Sequence, residues 1–155
     1  MSIQKLMSQK ELDITIIASN NSIAPKILHV EKVNDEYLIT MEKYPYTLSH
    51  ANDKVKYRNM VKDKIYQLHK LGIFHADIHD DNIIVDEDKG VVKIIDYGLS
   101  EYITDIDDEF IRDYNAYHND AQCIDELLQL EIDEVDRYIQ VKQNCVGIIL
   151  IKIYK

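Results

Sequence analysis

The stretch from Asp53 to Leu71 limits the fold more than any other part of the sequence. Tyr57, Val61, Ile65, Leu68 and Leu71 recur at steps of three and four residues, the spacing of one face of an α-helix. Lys54, Lys56, Arg58, Lys62, Lys64 and Lys70 fill the rest of the surface, and Gly72 suits the left-handed turn that ends a helix. Such a helix has to bury its apolar stripe. A different periodicity follows it. Ile83-Ile84-Val85 and Val91-Val92-Lys93-Ile94-Ile95 are β-rich runs around an acidic glycine turn, Asp86 to Gly90, and predict a hairpin. The polar loop His75-Ala76-Asp77-Ile78-His79-Asp80-Asp81-Asn82 lies between helix and hairpin. A hairpin brings its ends together, so Asn82 and Asp96 are expected side by side.

Upstream, Ser8-Gln9-Lys10-Glu11 is a capping box, which places a helix over roughly residues 9–20 with Leu12, Ile16 and Ile17 at helical spacing. Ile27 to Val30 and Tyr37 to Met41 read as a first hairpin around Asn34-Asp35-Glu36, and Glu42 to Tyr46 as an irregular linker. Downstream, residues 99–117 are acidic with weak periodicity. Asp120 to Leu130 and Val135 to Val141 read as two helices, and Val146 to Tyr154 as a β-like tail.

Composition excludes several classes. The 155 residues fit one domain, and 46% hydrophobic content is enough for a packed core. The net charge of −10 argues against a non-specific nucleic-acid binder. The acids are unevenly placed: residues 76–136 carry twenty carboxylates against Lys89, Lys93 and Arg112, so that stretch needs cations, either a metal or a basic partner. The four glycines, at 72, 90, 98 and 147, allow neither G-x-G-x-x-G nor a Walker A loop. Cys123 and Cys145 lack any C-x-x-C context and read as buried thiols of a reducing compartment. No apolar run reaches the length of a membrane span, so a cytoplasmic protein with no membrane partner is expected. His29, His50, His69 and His118 read as surface or helix histidines without a role.

The loop and the hairpin ends carry the chemistry. Asn82 and Asp96 offer hard oxygen ligands of the kind that suit Mg²⁺, an ion that keeps waters and takes phosphate oxygens as its remaining ligands. Asp77 lies on the approach to the same point, placed to orient an attacking hydroxyl.

His75-x-Asp77-x-x-x-x-Asn82, followed fourteen residues later by Asp96-Tyr97-Gly98, resembles the catalytic loop and metal-binding pair of the protein-kinase-like superfamily. The likeness runs in order over about residues 9–130. Leu38 to Tyr44 looks like the strand and hinge that hold adenine, with Glu42 and Tyr44 at the nucleotide. Residues 54–71 look like the helix before the catalytic loop. Asp120 looks like the aspartate that opens the helix supporting that loop, and Glu11 like the helix glutamate that pairs with a strand lysine.

The resemblance implies an α+β, protein-kinase-like fold. Residues 1–46 would be a truncated small lobe and hinge, one helix and a β-hairpin, and 47–155 a compact, mainly helical large lobe. It implies Asp77 as catalytic base, His75 as a brace, His79 where protein kinases usually carry a lysine at the γ-phosphate, and Asn82 and Asp96 on Mg²⁺ and ATP.

Departures are visible too. With ten residues before Glu11, the glycine-rich loop and the strand lysine are expected to be lacking, although Lys5 or Lys10 could in principle approach a phosphate. Ala76 replaces the arginine that reads a phosphorylated loop, and A-P-E is absent. The expected function is a reduced serine/threonine protein kinase acting on a protein substrate. Its Ile-rich, Ala-poor composition hints at a viral source and hence a host cytoplasm. Two alternatives stay open: an inactive pseudokinase fragment bound to a partner kinase, and a small-molecule kinase of the aminoglycoside or choline type, suggested by His79.

Overall fold

The computed structural model describes the backbone of residues 2–120 and 126–154 and the side-chain environments of 2–116 and 126–140. In chain order the elements are β1 (Ser2–Met7), α1 (Gln9–Asn20), β2 (Ile27–Val33), β3 (Glu36–Glu42), β4 (Tyr46–Thr47), α2 (Lys54–Lys70), β5 (Ile73–Phe74), β6 (Ile83–Asp86), β7 (Val91–Ile94), β8 (Glu101–Tyr102), α3 (Asp108–Asp120) and α4 (Glu126–Tyr154). The architecture is α+β.

The first hairpin, β2 with β3, forms as expected, but β1 joins it and gives an antiparallel sheet of order β1-β3-β2. The expected helix and hairpin therefore gain a strand. Its row of Ile3, Lys5 and Met7 is the more buried one, and Ser2, Gln4 and Leu6 are exposed. A lysine in the covered row and a leucine in the open one hide the alternation that normally announces a strand.

Ser8 caps α1, its hydroxyl accepting the Glu11 N–H at 3.2 Å. The helix has two inner faces. Leu12 packs with Met7, Ile39 and Met41 under the sheet. Ile14 and Ala18, with Ile23 and Ala24 in the following turn, belong to the main core around Leu48, Val61, Ile65 and Leu68. The turn is also tied by backbone: Ile94 donates its N–H to the Ile23 carbonyl at 2.8 Å.

α2 matches its prediction closely. Asp53 caps it by accepting the Lys56 N–H, and Tyr57, Val61, Ile65 and Leu68 are buried. Its basic face is partly paired, Arg58 with Asp80 at 2.8 Å and Lys62 with Glu126 at 2.9 Å. Gly72 then turns at φ +82°, and its carbonyl accepts the Ile103 N–H. No atom lies within 4 Å of where a Cβ would sit on Gly72. Gly72→Ala should therefore cost only the backbone strain of a left-handed L-residue, about 1–2 kcal/mol by urea denaturation.

The second hairpin, β6 with β7, forms as predicted, and β4 adds to its β6 edge. The linker expected at residues 42–46 thus ends in a strand. β5 pairs with β8 at the base of the loop that runs from His75 to Asn82.

The last third departs further from expectation. Residues 108–120 are a helix, α3, because Phe110, Ile111 and Tyr114 share a face that packs on Phe74. Asp120, expected to open the next helix, is the last described residue of α3. Cys123 and Ile124 of the expected next helix lie outside the described residues. From Glu126 the two expected helices and the β-like tail are one helix, α4. Glu131-Ile132-Asp133-Glu134 contains no helix breaker, and a short apolar run such as 146–151 suits a helix as well as a strand. Among the described residues no helix is long and apolar enough to cross a membrane.

Candidate active site

The loop after β5 is held from three sides. His75 is fully buried; its Nδ1 accepts the Asp77 N–H at 3.1 Å, and its Nε2 faces the Ile95 carbonyl at 2.8 Å. Those two partners select the neutral tautomer with the proton on Nε2. Burial holds the imidazole below the ordinary histidine pKa, which agrees. Tyr97 packs edge-on against this ring at 4.9 Å and donates its hydroxyl to the Ile94 carbonyl. Ala76 sits at φ +74°, a region that alanine rarely occupies. Both its backbone groups are clamped: the N–H donates to Glu131 at 2.9 Å and the carbonyl accepts the Tyr114 hydroxyl at 2.9 Å.

Asp77 leaves the loop half-exposed. Asn82 donates its amide nitrogen to the Asp77 carboxylate at 3.0 Å and to the Asp77 carbonyl at 2.9 Å. The same nitrogen lies 3.0 Å from His79 Nε2, and Nδ1 of that ring faces the Asp81 N–H. A neutral imidazole accepts through one nitrogen only, so one of those two contacts yields. His79 Nε2 is also 3.6 Å from the Asp77 carboxylate. Asp77, His79 and Asn82 are therefore one cluster.

Asp96 closes it from beyond the hairpin, which Ile95 seals by donating its N–H to the Asn82 carbonyl. Asp96 adopts φ +63°, again unusual for a residue with a side chain. Its carboxylate accepts Lys5 Nζ at 2.9 Å and the Gly98 N–H at 3.2 Å. Burial alone would raise the Asp96 pKa, but the Lys5 hydrogen bond and charge outweigh it and hold the group below the usual carboxylate value. Lys5 is raised for the mirror reason: burial opposes its charge, and Asp96 and Glu11 together overcome that.

Lys5 also lies 3.1 Å from Glu11 Oε2. That contact is an ion pair by distance without hydrogen-bond alignment, since the buried Oε2 accepts no hydrogen bond. A lysine on β1 thus lies against Glu11 of α1, where no strand lysine was expected. A Cβ on Gly98 would lie 3.0 Å from Glu11 Oε1 and 3.2 Å from Asp96 Oδ1. Only glycine leaves both carboxylates where they are.

Lys5, Asn82 and Asp96 form the polar end of a cavity of about 230 Å³ whose other walls include Ile3, Met7, Met41 and Tyr97. Glu42 and Tyr44 do not line it. Glu42 ends β3 opposite Ser2, and the neighbouring Tyr44 phenol is pushed up to about 12, by burial first and by Glu42 second. A more open cavity of about 780 Å³ between α2 and α4 contains none of the expected site residues.

Among the described residues no cluster of three His, Cys, Asp or Glu side chains could hold a metal alone. Asn82 and Asp96 nonetheless fit Mg²⁺ by donor chemistry. The amide nitrogen of Asn82 is committed to Asp77, which leaves its carbonyl oxygen as the atom that would ligate the ion, and Mg²⁺ would draw its other ligands from phosphate and water.

One residue escaped the sequence reading and another was given little weight in it. Lys5 was obscured by the atypical strand around it. Glu131 is fully buried and accepts the N–H groups of His75 and Ala76 at 3.0 and 2.9 Å, supporting the loop as Asp120 was expected to do. A glutamate one turn into a long helix carries no local mark of that task.

Comparison with known proteins agrees with this geometry. Residues 3–118 match the protein kinase domain family. The chain is similar to the serine/threonine-protein kinase PSK1 of Saccharomyces cerevisiae, 56% identical over 39 residues, which are 25% of this chain and 3% of that protein. It is similar to a probable casein kinase II subunit alpha homolog of Encephalitozoon cuniculi, 25% identical over 59% of this chain and 27% of that one. Among solved structures it resembles the Cydia pomonella granulovirus kinase PK-1, with a TM-score of 0.53, 23% identity, and coverage of 65% of this chain and 45% of that chain. It spans less than half the length of each. With three quarters of its length inside the family match and its loop, hairpin and lysine pair in the arrangement described, the chain belongs to the protein kinase domain family.

Proposed function

We propose that the chain is a protein-kinase-type phosphotransferase that moves the γ-phosphoryl group of Mg²⁺-ATP to a serine or threonine hydroxyl of a protein. The observation that carries this reading is Lys5, held between Glu11 and Asp96 at the mouth of the cavity that Asn82 shares. The lysine–glutamate pair and the metal-site aspartate are the parts a kinase must have in place together. The serine/threonine preference is supported by the name of the yeast relative.

In this reading residues 1–46 are a small lobe and hinge, 47–155 a large lobe, and Glu42 and Tyr44 flank the adenine. Lys5 turns from Asp96 to the phosphates when the nucleotide enters. Asn82 and Asp96 hold Mg²⁺, which when bound neutralises charge on the β- and γ-phosphates. Asp77 accepts the proton of the attacking hydroxyl. Asn82 fixes the Asp77 carboxylate, His75 sets the backbone beneath it, and His79 faces the transferred group.

Calorimetric titration with Mg²⁺-ATP tests the reading. Binding is expected between about 1 μM and 1 mM, the usual range for enzyme substrates. Gly98→Ala should weaken it severalfold, because the new methyl group makes the Glu11 and Asp96 carboxylates shift by a few tenths of an ångström beside Lys5. No binding at millimolar Mg²⁺-ATP would refute phosphotransfer and favour a pseudokinase. Nucleotide binding with phosphorylation of aminosugar or choline acceptors, and none of peptides, would refute the protein substrate.

A further inference from the structure

Outside the active site, one ring of α2 touches the group that carries the catalytic loop. His69 Nδ1 lies 2.6 Å from Glu134 and His69 Nε2 lies 3.2 Å from Glu131, both on α4. Glu131 in turn accepts the N–H groups of His75 and Ala76. The next residue is Asp77.

We propose that His69 is a positioning residue: as an imidazolium bridging Glu134 and Glu131, it fixes the buried carboxylate on which the Asp77 loop hangs. The inference rests on the phosphotransfer reading for its effect on turnover, but not for its effect on the loop.

The argument is one of donor counting. An ionised carboxylate only accepts hydrogen bonds, and here one faces each ring nitrogen. A neutral imidazole has one N–H and can satisfy one of them. Both contacts exist together only when both nitrogens are protonated. Charge agrees with geometry. Burial opposes the ring's charge, but the hydrogen bond and charge of Glu131 and then those of Glu134 outweigh it, so the pKa stands above the ordinary histidine value.

The charged groups around the ring are Glu131, Glu134 and Arg137 from α4 and Asp63 and Lys70 from α2, with the tyrosines Tyr66 and Tyr138 beside them. His75 and Tyr114 lie beyond Glu131 and are both uncharged near neutrality, as the directions of their shifts require. The open cavity between α2 and α4 reaches His69 and Glu134, so protons exchange with solvent there.

The sign follows from linkage. A histidine with a raised folded pKa contributes fully below its unfolded value of about 6.5, and that contribution is lost as pH rises through the higher folded value. The loop should therefore loosen on the alkaline side of neutrality, and turnover should fall with it while nucleotide KM holds.

The test uses the full chain from about pH 6 to 9, across that window. Amide hydrogen exchange at His75 and Ala76, corrected for intrinsic rate, reads the loop without needing activity. In the wild type, protection should drop at alkaline pH. In His69→Gln it should be lower by about tenfold at pH 6, and kcat should fall on the order of 10- to 100-fold with its alkaline limb gone. Glu134→Gln, which removes one carboxylate and keeps the Glu131 contact, should move the limb to lower pH.

Unchanged protection in His69→Gln, or a limb that Glu134→Gln leaves in place, would overturn the proposal. A wild type that shows the exchange pattern but transfers no phosphate would overturn the functional reading alone.

Discussion

Asp77→Asn is expected to lower kcat for phosphoryl transfer by about 10²- to 10⁴-fold, the usual worth of a positioned general base. The substitution keeps the shape of the side chain and a partner for Asn82, which donates to Asp77 at 3.0 Å, so the loop should stay folded. Lys5, Asn82 and Asp96 are untouched. Affinity for Mg²⁺-ATP should therefore remain within about threefold of wild type, so that the loss falls on kcat. Steady-state phosphorylation of a peptide and calorimetry with Mg²⁺-ATP, run side by side, check both halves. Equal losses of affinity and turnover would mean that Asp77 holds the nucleotide and is not the base.

How much of this was legible beforehand follows from where the information lies. α2 and the second hairpin were readable because their periodicities are local and uninterrupted: four of the five apolar positions expected on the helix are buried. The convergence of Asn82 and Asp96 followed from hairpin geometry alone. What escaped depends on distant partners. β1 is a strand because β3 lies alongside it, and Lys5 is a site residue because Glu11 and Asp96 neutralise it.

Glu131 and His69 show the same limit. Sixty-two residues separate them, and neither position departs from an ordinary helix surface pattern. α3 carries an apolar face at Phe110, Ile111 and Tyr114, but the Phe74 that this face packs on lies far upstream in the chain. The pairing of Glu42 and Tyr44 with adenine was an inference from order along the chain, and neither lines the cavity that Asn82 and Asp96 share.

The second large effect concerns stability. Glu131→Ala should destabilise the fold by about 3–5 kcal/mol, the cost of removing one partner of a buried ionic contact. Glu131 is fully buried, and its loss strands the N–H groups of His75 and Ala76, each costing about 1–3 kcal/mol when left unsatisfied. It also releases Ala76 from the clamp that holds it at φ +74°. For a chain of this length the drop in Tm should be about 6–20 °C, at about 2–4 °C per kcal/mol. Glu134→Ala, at a partly exposed position on the same helix, should cost no more than about 1 kcal/mol. Calorimetric melting of the two variants beside wild type separates the cases. Equal melting temperatures for Glu131→Ala and Glu134→Ala would show that the loop hangs on something else.

The stitch between Ile94 and Ile23 has a mechanical consequence. The turn after α1 is sewn to β7, and Ile14, Ala18, Ile23 and Ala24 sit in the same core as Leu48, Val61, Ile65 and Leu68. Swinging α1 outward as a lever would rip that backbone hydrogen bond and open the main core. Sliding β1 breaks its ladder to β3, its few contacts beneath the sheet and the Lys5 contacts to Asp96 and Glu11, but leaves the main core closed. Parting the Lys5–Glu11 pair from the lysine side therefore disturbs only the three-stranded sheet and its attachments, whereas parting it from the helix side opens the main core.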